Sequence, residues 1–339
     1  MLINTIEELR LYFPAHAMDQ IDGMAGFLDN SEHDFLVEKI GDELYESLSD
    51  YYQTINPQQL AEAVRLGEKQ GYMMQLLLCC QRCIVYDAFS RAISVHAISI
   101  NNAGVNVVTA EDYGKADKDS ITAFKQTCVK EAHAAVNRLL VTLEKWTRED
   151  AALPDDAELS ENEKERREIV NKWRSSRYYF LAASLLIPSA QVLQEYLNIY
   201  DSREKFIQML PSLRNIQEDA VEPLLGEKML EYVVDAAIKG TQEKVLARII
   251  HFLRKVMAAR LEECTSVLNV SADRRHAAHD ESERQMKSIA EYIKRNIDSL
   301  PEDIVKDSPF DTGDKDCCNQ PQFTNGKAGN AIFVIPALN

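Results

Sequence analysis

Glycine and proline are scarce in this chain, twelve and ten among 339 residues, which excludes collagen-like, mucin-like and low-complexity architectures. No apolar run approaches the roughly 20 residues that a helix needs to cross a bilayer. Met73–Cys83 is broken by Gln75 and Gln81, and Tyr178–Ala190 by Pro188, so no membrane partner is expected. The first residues lack a basic n-region, an apolar h-region and a small-residue cleavage site, because Glu7 and Glu8 follow Met1-Leu2-Ile3-Asn4-Thr5-Ile6. The chain is therefore expected to stay in the compartment where it is made. Basic residues are outnumbered, 38 Lys plus Arg against 54 Asp plus Glu, for a net charge of −16. That deficit removes the counterion-release energy on which duplex binding depends. It suits a surface past which DNA slides without sticking.

Cysteine is present but does not form a pattern. Seven residues, an odd number spread over a long chain, argue for reduced thiols and not for a disulfide framework. Cys79, Cys80 and Cys83 sit within an apolar stripe and read as small core hydrophobes. Cys317-Cys318 has no cationic setting beyond Lys315 that would activate a thiolate. His276 and His279 could share one helical face, yet no third ligand follows at readable spacing. GxSxG, HExxH, Walker and GxGxxG patterns are absent. No catalysis, cofactor or metal is expected. A metal or redox enzyme using His276, His279 or the cysteines is a distant alternative.

What the chain has in quantity is apolar residues at three- and four-residue spacing, in a composition 45% hydrophobic and 27% charged, which predicts an all-α fold. Val245, Ile249, Phe252, Leu253, Val256, Met257, Leu261 and Cys264 form the clearest stripe. Helices are also expected across Leu60–His96, Ile121–Trp146, Trp173–Leu186, Met229–Ile238 and Ile289–Ile297. Ile98–Val108, rich in Asn, Gly and β-branched residues, reads instead as a hairpin or irregular loop. Such a segment is either a plain connector or a projecting element that binds a neighbour, with Asn101, Asn102 and Gly104 as its candidate contacts.

Two copies of one pattern run along the sequence. Laying Ile21–Leu48 over Phe206–Val233 aligns Met24 with Met209, Leu28 with Leu213, Asn30 with Asn215, Asp34 with Asp219, Ile40 with Leu225, Gly41 with Gly226 and Leu44 with Met229. One residue of slippage upstream places Leu9, Tyr12 and Phe13 over Leu193, Tyr196 and Leu197. The paired glycines suit a turn between two helices, and Pro223 implies a shortened or kinked helix in the second copy. The expected organisation is a helical bundle over residues 1–150, an acidic linker over 151–172, a related bundle over 173–306, and an extended arm over 307–339. The arm is polar until Ile332, Phe333, Val334 and Ile335, a strand-forming run near a free end. It either docks on its own domain or adds a strand to another chain. Phe310, Phe323, Ile332, Phe333, Val334, Ile335 and Leu338 are its candidate contacts.

Several segments resemble an uncharacterised family encoded by tailed phages and prophages of gut anaerobes. They are Ile3-Asn-Thr-Ile-Glu-Glu-Leu-Arg-Leu-Tyr-Phe, Phe35-Leu-Val-Glu-Lys-Ile-Gly-Asp-Glu-Leu-Tyr-Glu-Ser-Leu, the Ser99-Ile-Asn-Asn-Ala-Gly-Val turn, and Trp173-Arg-Ser-Ser-Arg-Tyr-Tyr-Phe with Tyr200-Asp-Ser-Arg-Glu-Lys-Phe. Antiparallel helices with a C-terminal arm also look like the helical head–tail connector, or adaptor, proteins of tailed phages. That resemblance implies a virion protein of the neck, assembled in the host cytoplasm. It would form a homo-oligomeric ring of about twelve copies against the portal protein and neighbouring neck or tail proteins, with genomic DNA passing the lumen. Such adaptors usually have one bundle and about a third of this length, a departure that leaves stoichiometry and neck layer open. The alternative is a cytoplasmic helical protein-interaction module.

Overall fold

The computed structural model describes residues 1–13, 20–66, 71–96, 98–101, 104–107, 118–153, 159–179, 184–268, 270–306 and 308–311. Several helices begin at residues whose side-chain oxygens cap them. Thr5 and Ser160 start α1 (Ile6–Arg10) and α8 (Glu161–Trp173) with full capping boxes, their hydroxyls accepting from the Glu8 and Glu163 N–H groups. Ser189, Ser202 and Ser271 cap α9 (Ala190–Gln194), α10 (Arg203–Ile216) and α14 (Ala272–Arg295) in the same way.

In the first half, α2 (Asp22–Asn30) widens into a π-helical segment, Ser31–Val37, continues as α3 (Glu38–Ile40), and turns at Gly41 into α4 (Asp42–Gln53). After α5 (Pro57–Leu66), two long helices follow, α6 (Tyr72–His96) and α7 (Lys118–Ala151). They run antiparallel, since Tyr72 near the start of α6 meets Trp146 near the end of α7 edge-on at 5.1 Å. Between them β1 (Ile98–Asn101) pairs antiparallel with β2 (Gly104–Val107), with Asn101 opposite Gly104. The expected hairpin is there, on an otherwise helical fold.

The second half runs through the same kinds of element. α10 widens into a π-helical segment at Gln217–Val221, continues as α11 (Glu222–Leu225), and turns at Gly226 into α12 (Glu227–Lys239). The long pair is α13 (Lys244–Cys264) with α14, followed by α15 (Glu302–Val305). Pro223 lies in the first turn of the short α11, directly after the π-helical segment, and the helix stops two residues later at Leu225. Gly41 has φ 83° and ψ 157°, and Gly226 has φ 80° and ψ 155°. Only glycine adopts that region without strain. Ser176 also packs within 3.2 Å of where a Cβ on Gly41 would stand.

Burial follows the alignment. Met24, Leu28, Leu36, Ile40, Leu44 and Leu48 are buried, and so are Met209, Leu213, Val221, Leu225, Met229 and Val233. Both halves also grip one backbone residue alike. The Leu2 N–H donates to Glu32 Oε2 at 3.0 Å and its carbonyl accepts from Gln81 Nε2 at 2.6 Å. The Leu186 N–H donates to Gln217 Oε1 at 2.9 Å and its carbonyl accepts from Arg254 Nε at 2.8 Å. Glu32 and Gln217 align in sequence, and each lies in the first turn of its π-helical segment.

Three expectations are corrected. Residues 161–172 of the expected linker are not a solvated tether: with Trp173 they form α8, which packs on α4, α6 and α7 and buries Arg166, Ile169, Val170 and Trp173. The local excess of acid misled because its partners lie nearby in the fold, Glu149 with Arg166 at 3.0 Å and Asp150 with Arg167 at 2.9 Å. The helix expected over Trp173–Leu186 lies upstream and ends at Trp173. Phe310, expected as the first contact of a free arm, is 4% exposed and belongs to the chain's own core. That apolar core is continuous across both halves.

Candidate interaction surfaces

The groups best suited to chemistry are placed for structure. Cys80 and Cys83 are fully buried on α6, and burial pushes both thiols well above their ordinary range, away from the reactive thiolate. His279 Nδ1 lies 3.0 Å from Glu263 Oε1 across the α13–α14 pair. No three His, Cys, Asp or Glu side chains among the described residues converge as metal ligands, and no described helix is long and apolar enough to cross a membrane. Tyr52 donates to the Glu8 carboxylate at 2.8 Å, and Tyr12 to Gln81 Oε1 at 2.8 Å. Burial raises the pKa of both phenols, keeping them protonated as donors.

Two features stand out from this structural background. The first is the β1–β2 hairpin. It lies between the end of α6 and the start of α7, whereas among the described residues α13 and α14 are joined without strands. Residues 122–127 at the start of α7 are exposed, Phe124 at 47%, and Val95 at the end of α6 is 51% exposed. Asn101 and Gly104 are the paired residues nearest the hairpin tip. Asn102 lies outside the described residues, as do Phe323, Ile332, Phe333, Val334, Ile335 and Leu338 of the expected arm.

The second feature is a groove of about 720 Å3 in the second half, opened between the α10–α11 segment and the α13–α14 pair. Ile216, Ala220, Leu224 and Met286 supply its apolar lining, and Asp219 and Arg260 its charges. Arg260 pairs with Glu283, and its buried Nε has no partner among the described residues. Phe35 stands in the alignment where the second half has Ala220, and its ring meets the His133 ring edge-on at 6.3 Å. Sequence reasoning missed this groove. The substitution of a small residue for Phe35 across the aligned segments is the signal that could have found it.

A seam joins the halves. The Arg203 side chain donates from Nε to Glu144 Oε2 at 3.2 Å, its backbone N–H donates to Asn137 Oδ1 at 3.0 Å, and Glu204 Oε2 lies 2.8 Å from His133 Nδ1. Arg203 and Glu144 are 5% and 2% exposed. The Glu204 hydrogen bond lifts the His133 pKa, against a smaller opposing effect of burial. Nearby, the Lys39 ammonium is held 4.8 Å from the Phe35 ring and 4.9 Å from the Tyr178 ring, and bonds Glu38 at 2.8 Å.

Against known proteins, residues 36–149 match the model of a family of unknown function (DUF6712). The match runs from the first π-helical segment to the end of α7 and includes the inserted hairpin. No curated protein and no solved structure matches the chain.

Proposed function

We propose that this chain is a structural protein of the tailed-phage neck, a head–tail connector that joins portal or head to tail as an oligomeric ring. The observation that carries the reading is the hairpin inserted between α6 and α7. Among the described residues it is the one place where strands interrupt the helices, and a connecting element of this kind on a rigid helical scaffold is a means of reaching a neighbour. The net charge of −16 suits a lumen through which a polyanion moves. The strand-forming run Ile332–Ile335 suits strand addition to an adjoining protein.

The reading includes a second element, that the two halves are copies of one helical unit. Its support is the pairing of π-helical segments, the nearly equal dihedral angles at Gly41 and Gly226, and the shared clamp on Leu2 and Leu186. A ring built from a chain of two such units presents twice as many similar units as it has chains.

The test is whether the chain co-sediments with nuclease-protected, DNA-filled particles from its native source, followed by mass spectrometry across a density gradient. Enrichment at a few to a dozen or so copies per particle is expected. Absence from particles, with the protein left in the soluble fraction, overturns the connector reading in favour of a helical interaction module with a non-virion partner. Asn101, Asn102 and Gly104 in the hairpin, and the arm from Phe323 to Leu338, carry the inter-subunit contacts in this reading.

A further inference from the structure

We infer that the groove between the α10–α11 segment and the α13–α14 pair receives the exposed start of α7 from a second copy of this chain, with Phe124 entering the groove and Lys125 meeting Asp219. The inference rests on the equivalence of the two halves, part of the reading above, and not on a place in a virion.

The clamps set the register between the halves, Gln217 standing for Glu32 and Arg254 for Gln81. Counted from them, three positions that line the groove carry a small side chain where the first half has a large one: Ser212 for Phe27, Ala220 for Phe35 and Cys264 for Arg91. In the first half both rings pack against the core, and the Arg91 guanidinium lies 3.4 Å from Asp34 and 2.6 Å from Asp87. The second half keeps the first of these acids as Asp219 but has no base at Cys264. Of the charged groups that line the groove, Arg260 is engaged by Glu263 at 3.7 Å and by Glu283, whereas Asp219 is exposed and has no ionic partner among the described residues. The groove thus calls for an aromatic side chain and a cation, the two things that the first half supplies from its own sequence.

The start of α7 offers both. Phe124, 47% exposed, is the one exposed phenylalanine among the described residues, and Lys125 is the one charged residue within four positions of it. Residues 122–127 are all exposed, so a full helical turn is open to insertion between two helical walls. Adjacent residues on a helix point about 100° apart, which sends Phe124 inward while Lys125 stays at the rim beside the exposed Asp219. No first-half residue lines the groove among the described residues, and Phe124 stands 5.9 Å from Phe13 of its own half. The turn that enters is therefore a neighbour's, and the contact is heterologous, first half onto second half.

The test is sedimentation velocity on the full chain across micromolar concentrations. Wild type is expected to self-associate. Ala220→Phe, which carries over the first half's residue, and separately Phe124→Ser should each weaken association at least about tenfold. An equimolar mixture of the two variants keeps one open groove and one Phe124, so it should form heterodimers while neither variant pairs with itself. Asp219→Lys should weaken association too, and adding Lys125→Asp should recover most of the loss. Far-UV circular dichroism and melting establish that each variant folds; should Phe124→Ser melt early through its lost contact with Phe13, the charge exchange decides in its place. A wild-type chain that stays monomeric overturns the proposal. So does self-association that ignores both Ala220→Phe and the charge reversal, an outcome that leaves a ring built through the hairpin or arm intact. Particle co-sedimentation decides the connector reading separately.

Discussion

The two halves each hold one buried leucine, Leu2 and Leu186, by the same pair of backbone hydrogen bonds and spend different side chains on it. In the first half the acceptor is Glu32, which also takes the Tyr45 hydroxyl at 2.7 Å and lies 3.6 Å from the Met1 ammonium, while the donor is the neutral Gln81. In the second half the acceptor is the neutral Gln217, and the donor is the cationic Arg254. Charge sits on the π-helical segment in the first half and on the long helix in the second, yet the backbones of Leu2 and Leu186 each meet one acceptor and one donor. The lesson is that a buried N–H and C=O impose a demand for one acceptor and one donor. Which residue types satisfy it is free to drift.

The seam between the halves is where the comparison breaks most easily. Glu144 is the shared acceptor of Arg148 and Arg203, and removing it leaves the buried Arg203 guanidinium with the exposed Asp201 carboxylate, at 2.7 Å, and without its buried one. Glu144→Leu is expected to cost about 3–5 kcal/mol. Urea unfolding should show the loss, and two separated transitions in place of one would mean that the halves unfold independently once the seam is cut.

The clamps give the next largest effect, and they are unequal. Glu32→Leu abandons the Leu2 N–H, the Tyr45 hydroxyl and the N-terminal ammonium, at about 2–4 kcal/mol. Gln217→Leu abandons only the Leu186 N–H and the Ser184 carbonyl, at about 1–3 kcal/mol. Thermal melts of the two variants side by side should rank them in that order. The reverse ranking would mean that the second clamp carries more of the fold than its hydrogen bonds indicate.

Smaller again is the turn. Gly41→Ala forces a Cβ into a left-handed dihedral and against Ser176, at about 1–3 kcal/mol. Gly226→Ala meets the same dihedral cost, so both variants should lower the unfolding midpoint, and an unaffected midpoint in either would refute the claim that the turn needs glycine.

Much of this was legible beforehand, because periodicity and punctuation are local properties. The Val245–Cys264 stripe reads as a helix, Gly41 and Gly226 read as turns, and Ile98–Val108 reads as a hairpin, each from residues within a few positions of one another. The π-helical segments were not legible: one extra residue per turn leaves the apolar spacing nearly unchanged, and only the packing of Glu32 and Gln217 betrays it. Nor was the fate of residues 161–173, whose Arg166 and Arg167 pair with Glu149 and Asp150 of a different helix. Phe310 escaped for a similar reason. A lone aromatic in a polar, turn-rich stretch has no period, and its burial depends on a core assembled from distant segments.

The gentlest probe of the seam is pH. His133 and Glu204 meet across it, and the hydrogen bond to the Glu204 carboxylate raises the His133 pKa above the ordinary histidine value of 6.5. Folding therefore favours the imidazolium, so the contact contributes fully below the unfolded value and is lost as pH rises through the raised folded one. Since the His133 side chain is 56% exposed, solvent screens the pair and holds its contribution below about 1 kcal/mol. His133→Asn should be less stable than wild type at pH 5.5 and converge with it at alkaline pH. A gap that widened on the alkaline side would show that the neutral imidazole, packed edge-on against Phe35, is the form the seam prefers.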